Sequence, residues 1–301
     1  MSEYEKGGVG VTGKDIVSWV KDYLKLKTNS IPKTMNANAV HMLKSVRNRI
    51  CDSFIITNKD GKVIVIDGGY KTETRYFLEY LRKLTGQKKP HIDAWIISHP
   101  HRDHIEAFLD IAENYADKVS VDKVYHSFAP TGFYADTDKS ANSLLQQYEL
   151  LKERVVKEEC ILKTGDEFSI GESEFKVLNS FDPEYKNCND SSLMFRMQLG
   201  GKTVLFTGDC GKTAGGKVLE RQADLSAVKS DICKMAHHGQ NGCGKAFYEA
   251  VSPEICLWPT PSWVWDNRSG KLRTHEVKAW ITELGVKKNI VAKDGNAVLI
   301  I

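Results

Sequence analysis

The chain has 301 residues. Its 42 Lys and Arg stand against 39 Asp and Glu, for a formal charge of +3, and 41% of its residues are hydrophobic and 27% charged. That balance excludes a disordered, collagen-like or coiled-coil chain, and no apolar run of about 18 residues offers a membrane-spanning helix. So small an excess charge argues against a wide basic groove for long nucleic acid. Residues 1–50 carry nine basic and four acidic side chains, which reads as a solvated face. The opening residues lack the apolar stretch of a secretory signal. Seven scattered cysteines without a Cys-x-x-Cys pair suit a reduced chain, so a cytoplasmic location is expected.

Ile16, Trp19, Val20, Tyr23 and Leu24 fall at helical spacing, which predicts an amphipathic helix over 14–26. A Pro- and Asn-containing linker follows at 29–38. These residues are expected to form an N-terminal extension, 1–39, ahead of one domain at 40–301. The domain opens with strands at 53–57 and 62–66 around Asn58-Lys59-Asp60-Gly61, a hairpin signal. A helix at 72–85 is stopped by Gly86. A short apolar strand covers 94–98, a helix 105–117, a strand 121–126 and a long helix 141–158. Short strands follow near 160–163, 167–170 and 174–178. Alternation at 193–199, then Gly200-Gly201 and a return strand at 203–207, predicts a tight hairpin. Strands are expected at 231–236 and 254–258, a helix from Thr274 to a stop at Gly285, and a closing hairpin over 289–301. Helices recurring among more numerous strands suit stacked sheets with helices outside.

Chemistry concentrates in Ser98-His99-Pro100-His101-Arg102-Asp103-His104, directly after the 94–98 strand. His99 and His101 are two apart, so an extended backbone points both the same way. Asp103 and His104 then face the same space from the start of the next helix. Imidazole and carboxylate are the ligands expected for zinc-like ions.

This His-x-His-x-Asp-His run resembles the metal-binding motif of the metallo-β-lactamase superfamily. Ile66-Asp67-Gly68-Gly69, Thr207-Gly208-Asp209 and Ala236-His237-His238-Gly239 resemble, in order, the family's site-orienting Asp, its metal-bridging Asp and its final His motif. Cys51-Asp52-Ser53, Asn189-Asp190-Ser191-Ser192-Leu193 and Lys234-Met235-Ala236 are similar to the hydrolase domain of bacterial DNA-uptake competence proteins, as is the stretch Asp294-Gly295-Asn296-Ala297-Val298. The resemblance implies a four-layer αββα sandwich with metals at one edge.

It further implies a metal-dependent hydrolase of phosphate esters or diesters, taking one or two divalent ions, Zn²⁺ or Mn²⁺ ahead of Fe. His99, His101 and Asp209 would hold one ion, and Asp103, His104, Asp209 and His237 or His238 the other. A hydroxide bridging the ions would be oriented by Asp103, with Asp67 and His275 in catalytic roles. Only one of His237 and His238 is expected to ligate, because neighbours on an extended chain point apart, and His237 is favoured. A small or short anionic phosphoester is the expected partner, with His275 and Lys234 adding positive charge. A redox di-iron protein of this fold would carry Glu in place of His101.

Two departures from the family pattern stand out. The family's third motif supplies a His about 20 residues before the bridging Asp, where this chain reads Asn187-Cys188-Asn189-Asp190. Asp190 or Asn189 could substitute, although a cap at a strand start is the simpler reading. The Gly-rich turn before Asp-Ser is replaced by Ser45-Val46-Arg47-Asn48-Arg49-Ile50. The missing His leaves open a non-catalytic metal-binding or regulatory domain.

Overall fold

A computed structural model describes residues 31–301. The helix expected over 14–26 lies outside the described residues. Two seven-stranded sheets carry the fold. In the first, β1 (Ala39–Met42), β2 (Ser53–Thr57) and β3 (Val63–Asp67) pair antiparallel. From β3 the sheet continues in parallel through β4 (His91–Ile96), β5 (Ser120–His126) and β6 (Val156–Ile161). The second has the same plan. Here β7 (Glu167–Ile170), β8 (Ser173–Asn179), β9 (Met194–Leu199) and β10 (Lys202–Phe206) form a meander. Parallel β11 (Ile232–Lys234), β12 (Ile255–Trp258) and β13 (Lys288–Val291) extend it.

Each parallel step crosses over through helix. In the first half these are α1 (Thr74–Thr85), α2 (Arg102–Asn114) and α3 (Lys139–Leu151). In the second they are α4 (Lys212–Arg221), α5 (Lys245–Val251), α6 (Ser262–Asp266) and α7 (Thr274–Glu283). Strand pleating then sorts the side chains into layers. Val63 and Val65 face the first helical layer, where Trp95 packs against Phe77 of α1 and Phe108 of α2. Ile64 and Ile66 point the other way and meet Phe195, Val204 and Phe206 between the sheets. Leu205, Cys233 and Cys256 turn outward onto Phe247 of α5 and Ile281 of α7. The result is the expected αββα sandwich.

Three local expectations change. The helix from 141 stops at Leu151, and β6 begins at Val156. Val155 and Val156 are β-branched and favour the extended edge, where Lys123–Glu158 and Lys157–Asp122 pairs bridge the strands. The segment 289–301 is no hairpin: β13 pairs with β12 in the second sheet, while β14 (Ala297–Ile300) crosses to pair with β1 in the first. The residues around Asp294-Gly295 therefore bridge the sheets rather than turn within one. Strand β1, at the end of the expected linker, carries no turn-bounded alternation and was visible only through its pairing with β14 and β2. The hairpin at Gly200-Gly201 forms as expected, both glycines taking the positive φ (56° and 82°) that a two-residue turn requires.

Phe206 touches Phe54 edge-on at 5.4 Å and stacks on Phe195 at 5.3 Å in the middle of the sandwich. Phe206→Ala should lower unfolding free energy by about 3–5 kcal/mol. Urea titration followed by circular dichroism would check it, and a loss below about 1 kcal/mol would show that the inter-sheet layer is not the packed core described.

Candidate metal centre

The parallel strands of both sheets end at one edge, the place where open α/β sheets collect ligands. Asp67 ends β3, Ser98–His104 follow β4, Asp209 follows β10, and His237 and His238 follow β11. Backbone hydrogen bonds stitch these loops together: Asp52 N donates to Asp103 O (3.1 Å), Gly69 N to His104 O (3.3 Å), Leu193 N to Ser98 O (2.8 Å) and His237 N to Gly208 O (3.2 Å).

Four carboxylates, those of Asp52, Asp67, Asp103 and Asp209, are buried within this cluster. Asp67 takes a left-handed backbone (φ 56°). Its Oδ1 accepts from Ser98 N at 2.8 Å, and its Oδ2 from Ser98 Oγ and His104 Nδ1, each at 2.9 Å. Holding the proton on Nδ1 aims the His104 Nε2 lone pair at Asp209 Oδ2 (3.3 Å) and Asp103 Oδ2 (3.6 Å). Asp67 thus sits behind His104, as an orienting group.

His238 mirrors this arrangement. Its Nδ1 lies 3.1 Å from Asp52 Oδ1, and its Nε2 lies 3.0 Å from Asp103 Oδ2 and 3.3 Å from Asp209 Oδ2. Lys234 is buried beneath, its Nζ paired with Asp52, donating to Gly208 O at 2.7 Å and lying 3.4 Å from Asp209 Oδ1. It is consumed by the scaffold and does not reach a substrate, contrary to the sequence expectation.

The charges are strongly interdependent. Burial opposes the His104 cation, but Asp209, Asp67 and Asp103 outweigh it and push its pKa up to about 10. Burial likewise opposes a charged His238, and Asp209 and Asp52 override it, raising its pKa. Burial alone would raise the Asp209 pKa, yet His238, His104, His237 and Lys234 hold it low. The cluster therefore attracts positive charge at the two imidazole Nε2 atoms. Neither of those atoms has a hydrogen-bond partner. Together with Asp103 and Asp209 they place four ligand atoms within 4.8 Å of one another. Two imidazoles and two carboxylates with orphaned lone pairs fit a divalent transition ion.

The geometry favours His238 over His237, against the sequence expectation. Both residues lie in left-handed backbone (φ 53° and 48°), so the extended-chain argument does not apply. His238 turns fully inward, whereas His237 Nε2 stands 3.8 Å from Asp209 and burial lowers its pKa to about 4. The tight turn depends on Gly239, where a Cβ would lie 2.3 Å from the Trp258 ring.

His99 and His101 face each other beside this group, His99 Nε2 lying 3.0 Å from His101 Nδ1. The other nitrogen of His101, Nε2, bonds Asp138 Oδ2 at 2.7 Å, while Asp138 Oδ1 caps α3 at Ala141 N (3.0 Å). Cys188 joins them: His101, Asp138 and Cys188 also place ligand atoms within 4.8 Å. Sequence reasoning missed both Asp138 and Cys188. The only signal was position, since Cys188 falls where the family's third His belongs. Asp190 is spent on Gly211 N (2.9 Å) and Ala214 N (3.2 Å), so it caps the start of helix α4 rather than the strand start expected. His275 is exposed on the first turn of α7, and among the described residues no hydrogen bond or ion pair joins it to the cluster. His126 bonds Glu159 at 2.9 Å and stacks on Phe128, a packing role.

His238→Ala should remove most bound metal while His237→Ala keeps most of it, read by elemental analysis of purified protein. Equal losses would contradict the inward placement of His238. Asp138→Ala should weaken metal affinity by about 10–100-fold through loss of the His101 orientation, with Asp138→Asn partly restoring it. Chelator competition checks this, and unchanged affinity in Asp138→Ala would restrict Asp138 to helix capping.

Residues 46–242 match the family model of the metallo-β-lactamase superfamily. A 175-residue stretch, 58% of this chain, is 29% identical to ComE operon protein 3 of Bacillus subtilis, and the match spans only 20% of that longer protein. Among solved structures, the metallo-β-lactamase fold protein YhfI of Bacillus subtilis superposes with a TM-score of 0.56 at 14% identity, over 88% of this chain and 99% of YhfI. CmlA, a diiron β-hydroxylase from Streptomyces venezuelae, gives 0.56 at 13% identity, over 91% of this chain and 55% of CmlA. At these identities the structural likenesses speak for the fold alone. The family match, the αββα layers and the His/Asp cluster at the strand ends agree: the chain belongs to the metallo-β-lactamase superfamily.

Proposed function

We propose that this chain is a metal-dependent hydrolase of small or short phosphate esters or diesters. The observation that carries the reading is the pair of buried, unpartnered imidazole nitrogens, His104 Nε2 and His238 Nε2, converging with Asp103 and Asp209. A divalent Zn²⁺ or Mn²⁺ ion held there would act as a Lewis acid toward a phosphoryl oxygen and lower the pKa of a water. Asp209 Oδ2, within 3.3 Å of both imidazoles, is the central ligand. His99 and His101 offer a second pair of nitrogens beside it, for a second ion.

Asp103 has a further task. It is the least buried of the four carboxylates, at 7% exposure. Burial opposes its charge, but His104 and His238 outweigh burial and keep it ionised. Held ionised, it can accept a hydrogen bond from a nucleophilic water and orient that water toward the reacting phosphorus. Asp67 and Asp52 act through the imidazoles, fixing His104 and His238 from behind. A phosphoester is favoured over a lactam because a phosphoryl group offers non-bridging oxygens that two ions held here could each meet, whereas a lactam carbonyl offers one.

Wild-type protein reloaded with Zn²⁺, Mn²⁺ or Fe²⁺ should turn over bis(p-nitrophenyl) phosphate and leave nitrocefin intact. Asp103→Ala should lower kcat by roughly 100-fold or more. Turnover of nitrocefin alone, abolished by Asp103→Ala, would overturn the phosphoesterase reading. Metal retention with no hydrolysis of any ester would favour the regulatory alternative.

A further inference from the structure

The turn at 187–192, where the family's third His is missing, holds a sulfur atom against the metal edge. Asn187 and Asp190 bond each other twice, Asn187 Nδ2 to Asp190 Oδ2 and Asp190 N to Asn187 Oδ1, both at 2.8 Å. Ser191 N donates to Cys188 O at 3.1 Å, and Asn179 Nδ2 donates to Asp190 O and Ser192 O, each at 2.9 Å. Leu193 N, just past the turn, donates to Ser98 O beside His99. Cys188 is buried and packs with Ala129, Tyr134, Ala141 and Leu145. So braced, it keeps its sulfur next to His101 and Asp138, the three offering ligand atoms within 4.8 Å of one another.

The surroundings of this sulfur are those of an anion. Tyr134, 1% exposed, buries an Oη that has no hydrogen-bond partner and lies beside Cys188 and Ser191, whose own Oγ is also unpartnered. A neutral thiol is a weak acceptor and leaves such O–H groups unsatisfied, whereas a thiolate accepts from them strongly. The neighbouring imidazoles ask for a cation. Asp138 Oδ2 can only accept, so His101 Nε2 carries the proton at 2.7 Å and its Nδ1 keeps a lone pair. Ser98 Oγ donates to Asp67 Oδ2 and so accepts from His99 Nδ1 at 3.1 Å, which leaves a lone pair on His99 Nε2. The two lone pairs face each other at 3.0 Å and repel unless a cation joins them. Around a tetrahedral ion, neighbouring nitrogen and sulfur ligands stand about 3.5 Å apart, a spacing the His101–Cys188 approach can meet.

We propose that Cys188 is the third protein ligand of the ion that His99 and His101 hold, a thiolate standing where the family has an imidazole. On binding, the thiol gives its proton to solvent and its sulfur forms the bond to the ion. Tyr134 Oη donates to that sulfur, and Asp138 stays on the far nitrogen of His101 as a positioning residue. A sulfur ligand makes this position soft, so it favours Zn²⁺ or Co²⁺ over Mn²⁺. The inference rests on the reading of the cluster as a metal centre and not on the reaction proposed for it.

Cobalt reports the sulfur directly. Full-length protein, stripped of metal under reducing conditions, is titrated with Co²⁺ and followed by absorption spectroscopy. Wild type should show a near-ultraviolet sulfur-to-cobalt charge-transfer band beside the visible bands of the bound ion. Cys188→Ala, checked for native melting, should lose the charge-transfer band and bind one ion about tenfold or more weakly. Cys188→His should lose the band yet keep that ion, because it restores an imidazole, and its preference for Zn²⁺ over Mn²⁺ should fall. Cobalt bound without a charge-transfer band in wild type, or a band unchanged in Cys188→Ala, would overturn the ligand assignment and leave the metal centre standing. No cobalt bound at all would sink the metal reading itself, and Cys188 with it.

Discussion

Four buried carboxylates packed at one edge cannot all stay ionised without positive charge among them, and the rest of the structure is arranged around that constraint. Lys234 supplies one fixed charge from below, tied to Asp52 and Asp209. The remainder falls on His104 and His238, whose unpartnered nitrogens converge on Asp103 and Asp209. Unpaired buried charge costs several kcal/mol per ion, so the site gains most from a divalent ion that displaces the imidazole protons. Affinity for metal is in this sense stored in the fold.

Two similar half-structures bring those carboxylates together. Each sheet divides at its middle strand, β3 or β10, into an antiparallel and a parallel half. Each middle strand is followed by an aspartate, Asp67 or Asp209, and each next parallel strand by a histidine-bearing turn. The inter-sheet layer of Phe54, Phe195 and Phe206 holds the two parallel ends side by side. Neither sheet alone supplies the whole cluster: Asp103 and His104 come from one, Asp209 and His238 from the other.

The places where this chain departs from its family are also where its structure is most specific. The segment without the third His folds so that Asp190 caps α4 and Cys188 approaches His101 and Asp138. The segment without the Gly-rich turn is braced by buried Glu73, which accepts from Ser45 Oγ and Val46 N. Family membership accounts for the fold and for the His/Asp cluster, while these two segments are particular to this chain.

The sequence alone determined the layered fold and most of the cluster, for physical reasons. Apolar strands buried on both faces, such as Val63–Asp67, and the four candidate ligands His99, His101, Asp103 and His104 within six residues are local patterns, and local patterns survive translation into structure. Tertiary structure decided the rest. Extended-chain logic said only that one of His237 and His238 would point inward, and a left-handed turn against Trp258 makes it His238 rather than the favoured His237. Lys234 looked like a free cation until packing buried it on Asp52. The closing segment carried the signature of a hairpin, yet its two strands join different sheets, because pairing partners lie more than 200 residues away for β14 and in another layer for β13. Asp138 and Cys188 lie 37 and 87 positions from His101, and only the packed chain brings them beside it. Spacing can encode which residues share a strand or a turn; which nitrogen, carboxylate or thiol meets another across layers is set by packing.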